Sequence, residues 1–365
     1  MFSFKNVLSS LKGTPAAPKR VVGIDFGSSS VKVVELERQE EALTLTSYGE
    51  LQLGPYQDKE MGMSVDLEPE KKTEALVDVL RESSVAAKSG VLALPLMSSF
   101  VTVISFDAKP GEDISPRVRV EARKHIPVPI ADITLDWTEL APLKKSKARK
   151  SDMEKREVLV AAIQNDIFSE MKNLMSSVNM SSQPSELELF STLRAVTKSS
   201  DDSLVVIDVG SHTSKMYIAK DGLLRQLHRV GSGGTDVTVK IAELLGISFV
   251  EAERLKRNYQ ADLPQAADIK KAFAVSFERA FQEFKRLLDH YERENNTTIT
   301  RTILCGGTAG FPEMTKFASY MLDREVIKAN PFTKVAYPAF MEDTLIDIAP
   351  TFTVALGSAL RPFDI

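Results

Sequence analysis

Residues 21–36 read VVGIDFGSSSVKVVEL, and residues 205–218 read VVIDVGSHTSKMYI. Each stretch is an apolar run that reaches an aspartate, turns through glycine and small hydroxyl residues, and resumes as an alternating run, which is the pattern of strand, tight turn, strand. A single Gly-Ser turn is the ordinary punctuation of a hairpin. Here Asp208 and Gly210 stand in the places of Asp25 and Gly27, 183 residues on. The N–H groups and hydroxyls of Gly27, Ser28, Ser29 and Ser30 can converge on an anion, and a carboxylate just before such a turn can hold a cation through water. The chemistry this suggests is phosphate with magnesium. Lys32 follows the turn on a strand, where alternation decides whether it faces that ligand or solvent.

A chain of 365 residues is longer than one core comfortably serves, so two domains are expected, in agreement with the repeat. A 43% hydrophobic and 26% charged composition with a net charge of −4 is that of a globular protein and gives no basis for a nucleic-acid surface. Cys305 is the single cysteine, which excludes an intrachain disulfide. With no signal-like N-terminal segment, the expected location is cytoplasmic. Apolar runs such as 91–97 are far shorter than the ~18 residues of a membrane span.

Residues 1–20 form a leader in which Phe4, Val7, Leu8 and Leu11 share one helical face beside Lys5 and Lys12, a stripe suited to a partner, a membrane surface or its own domain. A third strand follows near residue 48, then a helix over 69–82 burying Ala75, Leu76, Val79 and Leu80, then a buried strand at 90–95. Residues 98–200 read as an inserted subdomain. It holds a strand at its start, a helix capped by Ser115 with Pro116 in its first turn, and an extended segment forced by Pro127 and Pro129. A hairpin over 133–140 and 157–163 follows, with a basic loop of Lys144, Lys145, Lys147, Arg149 and Lys150. A helix over 165–178 and another capped by Ser185 complete it.

After the repeated hairpin comes GSGGTD at 231–236, which is not a Walker loop because no Gly-Lys-Ser/Thr closes it. A helix starting at Thr235 would leave Gly233 and Gly234 free for close approach to a ligand. Ser248 and Glu251 form a capping box, and on that helix Glu253 and Lys256, three apart, share a face as an ion pair. Phe273, Phe277, Phe281, Phe284, Leu288 and Tyr291 make the seam of one long helix. A buried strand over 302–305 then enters a loop of Gly306, Gly307, Thr308 and Gly310, with Pro312 opening a helix. Residues 330–332 begin a loop, and a helix over 352–361 closes the chain.

In this order these features resemble the actin-like ATPase superfamily, an α/β fold of ribonuclease H-like type in which two related domains clamp a nucleotide between them. The phrases EARKHIPVPIADITLDW, GGTDVTVKIAELLGISFVEAERLKR and ALGSALR narrow the resemblance to the PilM family of type IV pilus assembly proteins, itself similar to FtsA. The resemblance implies a first subdomain at 21–97 onto which helix 352–361 packs back, an insert at 98–200 and a second domain at 201–350. It implies ATP and Mg²⁺ as cofactors, with Asp25 and Asp208 holding hydrated metal. The turns at Gly27, Ser28, Ser29 and Ser30 and at Gly210, Ser211 and Thr213 would wrap the β- and γ-phosphates. Glu253 and Lys256 become ribose and base contacts, and Gly306, Gly307 and Thr308 face the adenosine. Thr308, where a third glycine is common, and His212 depart from the pattern.

The partners it implies are the cytoplasmic N-terminal peptide of a PilN-like membrane protein, held beside the insert at the inner face of the cytoplasmic membrane, other pilus assembly components, and copies of the chain. An FtsA-like filament or tether would carry an amphipathic helix after the core, where this sequence has Pro362 to Ile365. A sugar or acid kinase would need a carboxylate base in the insert, where Asp107, Asp113, Asp132 and Asp136 all read as solvated. Hydrolysis is expected to be slow at most. His125, His212, His228 and His290 lack ligand spacing.

Overall fold

A computed structural model describes residues 18–40, 42–141, 153–183, 185–198 and 203–363. The stripe at Phe4 to Leu11 and the basic loop of Lys144 to Lys150 lie outside them.

The first sheet grows from the opening hairpin. β1 (Arg20–Phe26) and β2 (Ser30–Gln39) pair antiparallel, β3 (Ala42–Gln52) adds to β2, and after helix α1 (Pro69–Glu82) β4 (Ser89–Leu94) returns parallel to β1. Val21, Val22 and Ile24 are all buried, because the sheet is covered on both faces. The insert follows. β5 (Ser99–Ala108), helix α2 (Ser115–Ala122), β6 (Ile133–Leu140) and β7 (Glu154–Gln164) form a three-stranded antiparallel sheet of order β5-β7-β6. One face closes a small core of Ile104, Phe106, Val118 and Val158, and the other sends Leu159, Ala161 and Ile163 into the core of the first sheet. Helix α3 (Asn165–Ser177), the two-residue strands β8 (Ser181–Ser182) and β9 (Glu186–Leu187), and helix α4 (Glu188–Val196) carry the chain back against β4.

Three local expectations are corrected here. Ser115 lies inside the first turn of α2, where its N–H and hydroxyl both donate to Asp113. Ser185 caps nothing, because Glu186 and Leu187 pair with Ala93 and Leu94 before α4 begins. Asp136, read as a solvated acid, is buried, with Oδ1 accepting the Trp137 N–H.

The second half repeats the topology of the first. β10 (Ser203–Val209) and β11 (Ser214–Lys220) form the hairpin, β12 (Leu223–Val230) extends it, and after helices α5 (Gly234–Leu245), α6 (Phe249–Arg257) and α7 (Ala266–Asn295) strand β13 (Arg301–Cys305) runs parallel to β10. The aromatic seam on α7 is buried along its whole length, as its spacing requires. A 3-10 turn occupies Gly307–Gly310, so Pro312 stands outside the next helix, α8 (Met314–Leu322), and β14 (Ile327–Lys328) edges the sheet. The segment after Asn330 is a 3-10 turn with Phe332 fully buried. Tyr217, Val206, Ile303 and Cys305 of this sheet share one apolar core with Val22, Leu92 and Leu96 of the first. Among the described residues no helix is long and apolar enough to cross a membrane.

The last helices, α9 (Glu342–Ile348) and α10 (Thr353–Leu360), return to the first sheet, where Ala355, Leu356 and Ala359 pack on Val21, Val34 and Val91. Two glycines permit that approach. A Cβ on Gly23 would strike the Ala355 carbonyl and Ala359 nitrogen, and one on Gly357 would strike the Ser191 carbonyl. Arg194 and Arg361 flank the buried Glu186 carboxylate at the same crossing. Gly23→Ala or Gly357→Ala should each destabilise the protein by about 2–3 kcal/mol. Gly231→Ala, whose Cβ would meet nothing within 4 Å, should change stability by less than about 0.5 kcal/mol. Urea unfolding of the three variants checks the contrast.

Candidate functional site

Strand register turns the sequence repeat into a structural one. Asp25 lies opposite Lys32 across β1–β2, and Asp208 lies opposite Lys215 across β10–β11, so in each hairpin acid and lysine share a face. Both turns close alike, with Gly27 N–H donating to the Ser30 carbonyl and Gly210 N–H to the Thr213 carbonyl, each at 3.0 Å. The turn tips meet, since the Ser28 and Ser211 hydroxyls lie 2.8 Å apart.

Beneath the tips is a cluster of charges. Lys215 Nζ lies 2.9 Å from Glu188 Oε1 and 3.3 Å from Asp208 Oδ2. Glu188 heads α4, and the same oxygen accepts the Leu96 N–H at 2.9 Å. Lys32 turns instead to the Ser30 hydroxyl at 2.8 Å, leaving Asp25 Oδ2 at 3.8 Å and Glu50 Oε1 at 3.9 Å. Burial raises the Asp25 carboxyl to about 6; Glu188 and Asp208 push the same way, and Lys32 and Lys215 oppose them. Burial works against the Lys215 ammonium, but Glu188 and Asp208 outweigh it and hold its pKa well above the usual lysine value. Lys215 and Glu188 carry no motif of their own; the sequence signal for Lys215 is its place seven residues after Asp208, as Lys32 stands after Asp25.

A magnesium ion is held by one or two carboxylates, retained waters and substrate phosphates. The oxygen-rich cleft, with a carboxyl whose ionisation neighbouring acids oppose, suits such an ion. Among the described residues no group of three or more His, Cys, Asp or Glu side chains forms a metal cage, so phosphates would have to complete the shell.

The glycine loops wall this cluster. Gly306, at φ +91°, lets the chain pass close to the Asp208 carboxylate and Val209 carbonyl, and Gly307 faces open space. The Thr308 hydroxyl donates to the Gly210 carbonyl at 2.9 Å. Gly233 and Gly234 seat α5 under the second turn, with Gly234 N–H donating to the Gly210 carbonyl at 3.0 Å and Thr235 N–H to the Ser211 carbonyl at 2.8 Å. Gly233, expected to permit close approach of a ligand, here permits close approach of the second turn itself, since a Cβ on it would strike the Ser211 carbonyl.

Behind them Glu253 is buried: its Oε2 accepts from Thr238 Oγ1 at 2.5 Å and Lys256 at 2.6 Å, and its Oε1 accepts from Arg257 at 2.7 Å. Lys256 also donates to the Gly234 carbonyl at 2.9 Å, and burial lowers its pKa. The ion pair is therefore an internal brace between α5 and α6. A strap that carries no sequence motif crosses to it from the first sheet. Leu53 N–H donates to the Ser29 carbonyl, Val65 N–H to the Ser28 carbonyl, and the Gly62 carbonyl accepts from Thr235 Oγ1 at 3.1 Å. Gly62, at φ +87°, rests against the Glu253 carboxylate, where a Cβ would collide.

The family model of type IV pilus assembly protein PilM matches residues 23–363. The chain belongs to the PilM family. The structure of a PilM-PilN type IV pilus biogenesis complex matches with a TM-score of 0.78 and 23% identity, covering 95% of this chain and 99% of that one. MreB 5 of Spiroplasma citri bound to AMPPNP matches with a TM-score of 0.50 and 11% identity over 94% of this chain and 95% of that one. The fold is that of the actin-like ATPases. Cell division protein FtsA of Rhizobium meliloti (strain 1021) is 26% identical over 180 residues, 43% of this chain and 39% of that protein, so the matched part is well under half of the relative's length.

In this PilM-family chain the raised Asp25 carboxyl has a measurable consequence. Between the ordinary value of 3.8 and about 6 the native state binds more protons at Asp25 than the unfolded state, so this group's contribution to stability falls as pH rises through that window. Relative to Asp25→Asn, the ligand-free wild-type protein should gain stability as pH is lowered from ~7 to ~5. Urea midpoints across that range test it, and a pH-independent difference between the two proteins would contradict it.

Proposed function

We propose that this chain is an ATP-binding scaffold of type IV pilus assembly that captures the cytoplasmic N-terminal peptide of a PilN-like membrane protein, at the inner face of the cytoplasmic membrane, in a nucleotide-linked way. The observation that carries the nucleotide half is the meeting of two repeated turns, Ser28 against Ser211 at 2.8 Å, above paired lysines and aspartates. A phosphate chain entering there would part the two hydroxyls. The amides and hydroxyls of Gly27, Ser28, Ser29 and Ser30 on one side, and of Gly210, Ser211 and Thr213 on the other, would then donate to phosphate oxygens. Lys32 and Lys215 supply positive charge below them. Asp25 and Asp208 are the carboxylates that would hold Mg²⁺, which neutralises phosphate charge when bound.

At the nucleoside end lie Glu253, Lys256 and Gly306 to Thr308, covered by the Gly62 strap. Opening of the brace and strap is then part of nucleotide entry. Glu188 lies beside the two aspartates, and its Lys215 and Leu96 contacts keep it from acting as a free base, in line with slow turnover. The matching MreB carries AMPPNP, and the matching PilM is complexed with PilN; both support this reading. For the peptide, the insert offers a concavity of about 260 Å³ where β5 faces β12, lined by Leu96, Phe100, Val160, Leu227 and Arg229. Ser99, Thr102, His125 and His228 line it as well, so this mixed groove offers a short segment both apolar contact and hydrogen bonds.

Calorimetry with ATP-Mg²⁺ and a PilN-like N-terminal peptide tests the proposal. Asp25→Ala should weaken ATP binding at least about tenfold and remove the gain in peptide affinity that ATP gives. Failure of the peptide to bind in every nucleotide state would end the scaffold reading. Unchanged ATP affinity in Asp25→Ala would end the site assignment.

A further inference from the structure

The two halves of the repeat carry the same acid and the same lysine but use them differently. Lys215 is buried and lies 2.9 Å from Glu188 and 3.3 Å from Asp208, so its ammonium sits between two carboxylates. Lys32 is turned to Ser30, and at 3.8 Å from Asp25 it makes no hydrogen bond to it. No hydrogen-bond donor among the described residues reaches the Asp25 carboxylate.

We propose that Lys215 is a tethered cation filling, at Asp208 and Glu188, the position a divalent ion would take, so that the metal accompanying a nucleotide binds on the Asp25 side alone. This rests on the nucleotide reading above and narrows its metal assignment, which gave the ion to both Asp25 and Asp208. The lysine ammonium is a compact point charge, and a divalent ion beside it would meet direct repulsion. Displacing Lys215 would leave it buried and unpaired, since Tyr217 and Cys305, both fully buried, wall the same face of the sheet. Glu188 cannot swing toward a metal without also giving up the Leu96 N–H. Lys32 stands 3.8 Å from Asp25, but its ammonium is hydrogen-bonded to Ser30 and not to the carboxylate, which leaves Asp25 open to the water molecules of a hydrated ion. The repeat is thus divided into a metal side and a lysine side.

The test measures ATP affinity with Mg²⁺ and with EDTA for wild-type protein, Asp25→Asn, Asp208→Asn and Lys215→Met. Mg²⁺ should tighten binding by wild-type protein at least about tenfold. That enhancement should disappear in Asp25→Asn, persist within about threefold in Asp208→Asn, and grow in Lys215→Met, where Asp208 and Glu188 become open to the ion. Should Lys215→Met fail to fold, the aspartate pair decides alone, because Asp208→Asn leaves Lys215 paired with Glu188. Loss of the enhancement in Asp208→Asn as complete as in Asp25→Asn, or no enhancement in wild-type protein that binds ATP, overturns the inference and leaves the nucleotide reading standing. Absence of ATP binding by wild-type protein in both conditions removes the nucleotide reading, and this inference with it.

Discussion

Five charged side chains brought together beneath two turns are the constraint on which the rest of this structure depends. Asp25, Asp208 and Glu188 cannot share a buried space unless Lys32 and Lys215 share it too, and burial makes each unpaired charge expensive. Strand register supplies the lysines, because a residue seven places after the aspartate lands opposite it once the turn is closed. Docking of α4 against β4 supplies Glu188. The two sheets then share one apolar core, which holds the hairpins face to face.

That arrangement requires backbones to approach closely, and glycine is used where they do. Gly23 and Gly357 let α10 lie on β1 and α4, and Gly306 lets the last loop pass the Asp208 carboxylate. Gly62 lets the strap rest on Glu253. The contacts at Gly23 and Gly306 tie the end of the chain and the loop after β13 to the two aspartate-bearing strands, so the cleft and the closing helix are mechanically linked. The strap and the Glu253–Lys256 brace join the first sheet to α5 and α6 through internal hydrogen bonds.

Much of this is legible in the amino-acid sequence. The hairpin repeat, helix 69–82 and the aromatic seam of α7 follow from periodicity and turn chemistry, which act within a few residues of one another, whereas the return of the last helix is implied by the family resemblance alone. Features that escape such reading depend on partners far away in the chain. Lys215 looks like any strand lysine until its register is known, and Glu188 acquires its role from Leu96 and Lys215. Ser185 has the composition of a cap, but Glu186 and Leu187 gain more by joining β4. Asp136 shares its face of the strand with the buried Leu140, so its polarity does not reveal that this face is covered. A glycine loop before a helix suggests room for close approach at Gly233 and Gly234, but that pattern says nothing of the Gly210 and Ser211 carbonyls packed against it.

If the two turns are opposite walls of one phosphate site, a single ligand must contact both. Hydrogen–deuterium exchange of the amides at 27–30 and 210–213, with and without ATP-Mg²⁺, addresses this directly. Nucleotide should slow exchange in both turns together, with the same concentration dependence. Protection of one turn alone, or of neither while ATP binds elsewhere, would contradict it.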